Sequence, residues 1–305
     1  MSILVSVIIP VYNGEKYIRE SIASVLAQSW QNLEILVVDD GSTDTTAEIL
    51  REFERKDRRI RTIHKEKNMQ TFHARMTGIE NSRGDYIMFL DADDLYSEDY
   101  VEALLSAVTG SNAELALCDN YLLFKDGSSP KDGIRLPGVK GRRYLRPADM
   151  EKDFYTLDLS GIRIDQSVQV MWSKIYKRDL IERALPWLNK VKQPMTYFED
   201  LLCSAILLHL SKCSVYTDRG CYYYRMNPSS SLQQDFMGVV NKMITGQLEM
   251  ITRVRSFLNE TKADPEIINL FENWRDRVWK MTELRYAIYY GSRNGNKKRD
   301  GRESE

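Results

Sequence analysis

Two acidic clusters carry the clearest chemical potential in this sequence, Asp39-Asp40 and Asp91-Ala92-Asp93-Asp94. Asp91 and Asp93 are separated by one residue, so on a tight turn their oxygens can converge on a hard divalent cation. Mg2+ and Mn2+ favour such ligands and commonly leave coordination positions open to substrate phosphates. So few protein carboxylates suit a metal completed by a diphosphate better than a closed structural cage. A pair of Asp residues also has a plain reading, because Asp is common in turns. The flanking sequence decides how much weight the pairs carry.

Both clusters begin where an apolar run stops. Residues 3–9, 33–38 and 86–90 are nearly continuous apolar segments, as expected of parallel strands covered on both faces. Ile60–His64 reads as a further short strand. Between these runs lie helical patterns. Tyr17, Ile18, Ile22, Val25 and Leu26 share one face, and Ala47, Ile49, Leu50 and Phe53 share another, with Ser42 or Thr43 as its N-cap. Thr71–Asn81 is a third helix. Strands and helices in this alternation predict an α/β fold, a doubly wound and mainly parallel central sheet flanked by helices. Ligands of such sheets bind beyond the carboxyl ends of the strands, which is where both acidic clusters fall. Farther along, the pattern predicts a helix over 98–109, a strand over 114–119 and an irregular insertion over 125–147. A strand over 168–175 and a buried helix over 201–210 follow. From Met237 the chain turns helical and aromatic, and its polar end from Asn294 is expected to fray.

Composition removes several function classes. Of 305 residues, 43% are apolar and 29% charged, a globular balance and not that of a disordered chain. Lys plus Arg number 43 against 44 Asp plus Glu, so the basic excess of a nucleic-acid binder is missing. Cys118, Cys203, Cys213 and Cys221 lack zinc-ligand spacing and are too few for a disulfide scaffold, which makes a reducing cytoplasm the expected setting. Neither the 3–12 nor the 201–210 apolar run reaches the roughly 20 residues of a membrane span, and the first has no basic flank of a secretion signal. A soluble protein is expected, or one held at the inner face of a membrane.

The ordered motifs resemble those of the family 2 glycosyltransferases. Ser6-Val7-Ile8-Ile9-Pro10-Val11-Tyr12-Asn13, then Val37-Val38-Asp39-Asp40-Gly41-Ser42-Thr43-Asp44, then Phe89-Leu90-Asp91-Ala92-Asp93-Asp94 carry the resemblance. It continues through Met171-Trp172-Ser173-Lys174-Ile175-Tyr176, Phe198-Glu199-Asp200-Leu201 and Tyr222-Tyr223-Tyr224-Arg225. The resemblance implies a GT-A fold over residues 1–235, with 1–120 as the nucleotide-binding half and 121–235 as the acceptor half. Residues 236–305 form a helical extension without a matching motif. The implied reaction is inverting transfer of a sugar from a UDP-sugar donor to a hydroxyl of a glycan or lipid-linked acceptor, assisted by Mn2+ or Mg2+.

On that resemblance, Pro10, Val11 and Tyr12 line the base pocket, with the tyrosine ring as a stacking face. Asp40, or else Asp39, accepts a hydrogen bond from the uracil imide, and one of the two can serve only as a turn cap. Arg75 approaches the diphosphate, although Gln70 stands where the family commonly has a backbone-permissive glycine. Asp91 and Ala92 contact the donor, Asp91 shares the metal shell, and Asp93 is the direct metal ligand, with Asp94 structural. An inverting single displacement needs one positioned base, and Asp200 matches the family's. Glu199 either holds the nearby backbone or touches the acceptor, and both acids also suit the start of a helix. Trp172 and Lys174 fall on the acceptor side, where Trp172 is equally readable as core. Arg225 with Ser229–Ser231 reads either as a lid or as a polar loop.

Other signals are weaker. His64, His73 and His209 lack metal-ligand spacing, and His209 reads as a buried, hydrogen-bonded residue. Trp274, Arg275, Arg277, Trp279, Lys280, Arg285, Tyr286, Tyr289 and Tyr290 mix aromatics with cations. Such a helix could pack on the catalytic domain, form a homo-oligomer face or touch an anionic membrane. Two rival functions remain. An aspartyl-phosphate-forming phosphatase would use Asp91 and Asp93 but leaves the 10–13 and 39–44 segments unexplained. A non-catalytic sugar-nucleotide-binding module would keep the fold without turnover.

Overall fold

The computed structural model describes residues 2–135, 147–156, 168–226 and 236–300. Along the chain run β1 (Val5–Val11), α1 (Ile18–Leu26), β2 (Leu33–Asp39), α2 (Thr46–Lys56), β3 (Ile60–His64), α3 (Gln70–Asn81) and β4 (Tyr86–Phe89). Then come β5 (Leu95–Tyr96), α4 (Tyr100–Gly110), β6 (Leu115–Cys118), β7 (Tyr121–Lys125), β8 (Ile134–Arg135) and α5 (Pro147–Thr156). The remainder is β9 (Lys174–Lys177), α6 (Arg178–Leu188), α7 (Glu199–Leu210), β10 (Ser214–Thr217), β11 (Tyr222–Met226), α8 (Phe236–Glu260) and α9 (Pro265–Asp300).

Seven strands form the main sheet in the order β10-β6-β9-β4-β1-β2-β3. Only β9 runs antiparallel to its neighbours, so the expected mainly parallel, doubly wound sheet is present. Every residue of β1 and β2 is buried, because helices cover both faces. Alternation along β1 sends Val7 and Ile9 into a core with α1, α2 and α4, and Ile8 into a second core. That second core also takes α3, α5, α6, α7, α8 and α9. A smaller sheet, β5-β11-β7-β8, lies beside the first.

Several boundaries differ from the sequence reading. The first strand continues through Pro10 to Val11. β4 stops pairing at Ile8, whose carbonyl still accepts the Leu90 N–H, so the side of the strand to which the Pro10 nitrogen points has no further ladder to break. α2 begins at Thr46, and Asp44, not Ser42 or Thr43, supplies the side-chain oxygen to its backbone, 3.0 Å from Thr46 N. The strand expected over 168–175 is confined to Lys174–Lys177. Val168, Met171 and Trp172 are buried without joining it, and an apolar run alone does not separate these cases. α6, β10 and the smaller sheet were not foreseen. The insertion expected over 125–147 contains β8, and its 136–146 portion lies outside the described residues.

The C-terminal aromatics divide. Phe271 and Trp274 are buried against Phe154 and Tyr155 of α5, and Arg277 donates to the Tyr155 carbonyl at 2.7 Å. Trp279 stays exposed. The side chains of Arg285, Tyr286, Tyr289 and Tyr290 lie outside the described residues. His209 is hydrogen-bonded as expected, to Glu151 at 2.7 Å and Thr261 at 3.2 Å, tying α7 to α5 and to the end of α8. No helix among the described residues is long and apolar enough to cross a membrane.

α3 crosses β1 closely because Gly78 faces Ile8. A Cβ at Gly78 would lie 2.3 Å from Ile8 Cγ2, inside a fully packed core. Gly78→Ala should therefore push α3 off the sheet and lower unfolding free energy by about 1–3 kcal/mol, measured by urea denaturation. An unchanged midpoint would show that the helix contact relaxes freely.

Candidate active site

The carboxyl ends of β1, β2 and β4 converge at one edge of the sheet. Val11 ends β1 and is buried, and its carbonyl accepts the Asp40 N–H at 2.8 Å. Tyr12 follows and is 49% exposed, the state a stacking ring requires. Asn13 then binds the β2 loop, accepting from Thr43 N at 2.8 Å and donating its own N–H to Ser42 Oγ at 2.9 Å. Asp39 and Asp40 are both buried, with different partners. Asp39 accepts from Ser42 N at 2.9 Å and faces His64 Nδ1 at 3.0 Å, so it caps the turn. Asp40 is paired with Lys65 and accepts from Met69 N at 3.0 Å.

Asp91 leaves β4 at the floor of the site. Its Oδ1 accepts from Arg75 Nη2 at 2.9 Å, while Arg75 Nη1 pairs with Asp200 and lies 3.8 Å from Glu199 Oε1. Arg75 comes from α3, and the two acids open α7 immediately after Phe198, whose φ of +67° turns the chain into the helix. One buried guanidinium therefore joins β4 to α7. Its Nε, also buried, has no hydrogen-bond partner among the described residues. Burial opposes the Arg75 charge, but Asp200, Asp91 and Glu199 together hold its pKa well above the ordinary value. Burial pushes Asp91 up to about 6, against the pull of Arg75 and with Asp200 and Asp93 adding repulsion. Burial, followed by Asp200, pushes Glu199 up to about 8.

The next residues are built into the wall. The Ala92 carbonyl accepts from Ser21 Oγ of α1 at 2.7 Å. Asp94 accepts from Tyr222 OH at 2.7 Å and Arg225 N at 2.8 Å, and burial raises its pKa well above the ordinary range. Three residues expected on the acceptor side are buried. Trp172 stacks on Tyr222 at 4.2 Å. Lys174 is fully enclosed and donates to the Val170 carbonyl. Arg225 points inward, donating from Nε to the Asp93 carbonyl at 2.8 Å and pairing with Glu20 at 2.7 Å and Asp126 at 3.1 Å. Tyr17 and Phe124 each lie 4.7 Å from its guanidinium carbon. Ser229–Ser231 lie outside the described residues.

The sequence model described as "Glycosyl transferase family 2" matches residues 6–184, more than half of the chain. The chain belongs to glycosyl transferase family 2. It is 30% identical to EpsH of Bacillus subtilis over 284 residues, 93% of this chain and 75% of EpsH. It is 32% identical to the glycosyltransferase GlyA of Streptococcus pneumoniae over 231 residues, which are 74% of this chain but only 31% of GlyA. The crystal structure of S. aureus TarS residues 1–349 with UDP-GlcNAc superposes with a TM-score of 0.55 at 20% identity, covering 88% of this chain and 79% of that one. The fold of this glycosyltransferase is GT-A. The phosphatase reading of Asp91 and Asp93 is set aside by that membership.

The candidate site of the glycosyltransferase includes residues that the sequence reading did not place in it. His64 is the register partner of Asp39 across β2 and β3, and Lys65 follows it, so strand pairing was the signal for both. Glu20 and Asp126 hold Arg225 from elements remote in sequence, and nothing local marks them. Gln70 adopts φ +71°, the left-handed conformation a glycine there would supply. That costs about 1–2 kcal/mol, and the bond its Oε1 accepts from Thr196 Oγ1 at 2.8 Å offsets part of it. Among the described residues no three His, Cys, Asp or Glu side chains converge as a metal cage.

Lys174 gives the glycosyltransferase a measurable pH signature. Burial lowers its pKa from 10.5 to about 7 despite the attraction of Asp200. Between about 7 and 10.5 the unfolded chain binds the extra proton, so this residue makes stability rise with pH across that window. Lys174→Met should be more stable than the parent at pH 7, with the difference shrinking toward pH 10. Denaturant melts of both proteins across this range check it. A pH-independent difference would exclude a depressed Lys174.

Proposed function

We propose that this glycosyltransferase moves a sugar from a UDP-sugar to an acceptor hydroxyl in one inverting displacement, with Asp200 as general base. The observation that carries the reading is the Arg75 guanidinium, which brings Asp200 of α7 and Asp91 from the turn after β4 to the same point. A base and a donor-binding carboxylate within the span of one side chain are what a single displacement needs. As the acceptor oxygen bonds to the anomeric carbon, the bond from that carbon to the diphosphate oxygen breaks. The hydroxyl proton passes to Asp200. Glu199, with a pKa near 8, keeps its proton at neutral pH and is left as a hydrogen-bond donor beside the base.

The donor reading rests on Asp40 and Tyr12. Tyr12 offers an exposed ring for the base, and Asp40 offers a carboxylate for the uracil N–H, fixed by Lys65 and Met69 N. The UDP-GlcNAc named for the TarS structure supports a uridine donor. Asp91 Oδ2 has no hydrogen bond among the described residues, and Asp93 follows on the same turn. Two hard carboxylates suit Mg2+ or Mn2+. A bound cation would offset charge on the leaving diphosphate. The acceptor is proposed to be a bacterial surface glycan or its lipid-linked precursor, glycosylated at the cytoplasmic face of the membrane.

Asp200→Asn should reduce transfer by about 100-fold or more while UDP still raises the melting temperature. Unchanged transfer would remove Asp200 from the base role. Separately, stabilisation of the parent protein by UDP should require Mn2+ or Mg2+ and disappear with EDTA. Full UDP stabilisation in EDTA would count against the Asp91–Asp93 metal, and a purine nucleotide stabilising more would overturn the uridine donor.

A further inference from the structure

A cavity of about 290 Å³ lies between α8 and the segment leading into α7, near the lower end of the range for small-molecule sites. Its α8 wall carries Asn241, Lys242, Thr245 and Glu249, and its other wall carries Gln193 and Thr196. Gly246 sets the distance between the walls, because a Cβ there would meet the Tyr197 carbonyl oxygen at 2.4 Å. Gln70 closes one end through its bond from Thr196.

The polar groups are fixed at their bases and open at their tips. The Gln193 carbonyl accepts from His73 at 3.0 Å, while its side-chain amide makes no bond among the described residues. The amide of Asn241 and the ammonium of Lys242 are likewise without partners among the described residues. Glu249 spends one oxygen on Arg253 at 2.8 Å. Amide, carboxylate and ammonium groups on two facing walls can bond vicinal hydroxyls in pairs. Pro194 and the buried Met195 add an apolar patch of the kind that meets the C–H face of a pyranose. The lining itself carries one charge of each sign, Lys242 and Glu249, with Arg253 paired to Glu249 from outside it.

The cavity is joined to the catalytic acids by covalent continuity. Thr196 lies four residues before Asp200, with only Tyr197, Phe198 and Glu199 between them. Gln70 begins α3, which carries Arg75. We infer that this cavity between α8 and the segment leading into α7 is a subsite for a neutral pyranose of the acceptor. The inference rests on the proposed transfer reaction and adds to it where a sugar of the acceptor binds.

The test uses saturation-transfer NMR on the full chain with UDP and Mg2+. The probes are methyl β-D-glucopyranoside, methyl β-D-galactopyranoside, methyl N-acetyl-β-D-glucosaminide and D-glucuronate. At least one neutral glycoside should show ring-proton contact that Thr245→Trp abolishes by filling the cavity. Asn241→Ala should weaken it about fivefold, the effect of losing one hydrogen-bonding group. Both positions are solvent-facing on α8, and circular dichroism with the melting temperature confirms folding. The inference is overturned if no neutral glycoside engages the parent protein, if contact survives Thr245→Trp, or if glucuronate is preferred. The UDP-induced rise in melting temperature, read on the same samples, reports the donor proposal separately. Sugar contact without that rise would leave the cavity and remove the donor reading.

Discussion

The guanidinium of Arg75 is the interaction on which the site depends. Four carboxyl groups, Asp91, Asp93, Glu199 and Asp200, come from two distant parts of the chain and meet at one sheet edge. Burying several acids together is unfavourable unless a cation neutralises them. Arg75 supplies one positive charge and reaches three of the four. Burial first, and then the neighbouring acids, push Asp91 and Glu199 upward despite the pull of Arg75. The cluster retains an excess of negative charge, the electrostatic setting that the proposed divalent cation would relieve.

Neighbouring acids divide their work at each corner of the site. In Asp39-Asp40, the first caps a turn and faces His64, while the second turns to Lys65 and the loop before α3. In Asp93-Asp94, the second is locked by Tyr222 and the Arg225 backbone, which holds the turn that presents the first. In Glu199-Asp200, burial keeps the first protonated near neutrality and leaves the second on Arg75. The principle is geometric. In the first two pairs a buried acid with fixed donors, Asp39 or Asp94, stiffens the turn that carries its neighbour.

Much of this was legible in the chain. The buried strands of β1, β2 and β4 appeared as apolar runs, and the acids that end them appeared as breaks. Ordered motifs pointed to the family that the match over residues 6–184 bears out. Other features had no local signature. Arg225 read as part of a lid or a polar loop, because its partners Glu20 and Asp126 are 205 and 99 residues away. Lys174 read as an acceptor-side charge, yet it lies in a core that only packing reveals. The departure at Gln70 was visible, but its left-handed backbone and its bond with Thr196 were not.

The sequence by itself determined the parallel strands β1 to β4 of the sheet, their winding and the chemical types at their carboxyl edge. Those properties follow from periodicity and local turn chemistry, which act over a few residues. Tertiary structure alone decided which acids share Arg75, which of each pair is held by the wall, and that α8 closes a cavity against the segment leading into α7. These outcomes depend on contacts between segments far apart in the chain. Their energies come from burial and charge pairing, and neither exists until the segments meet.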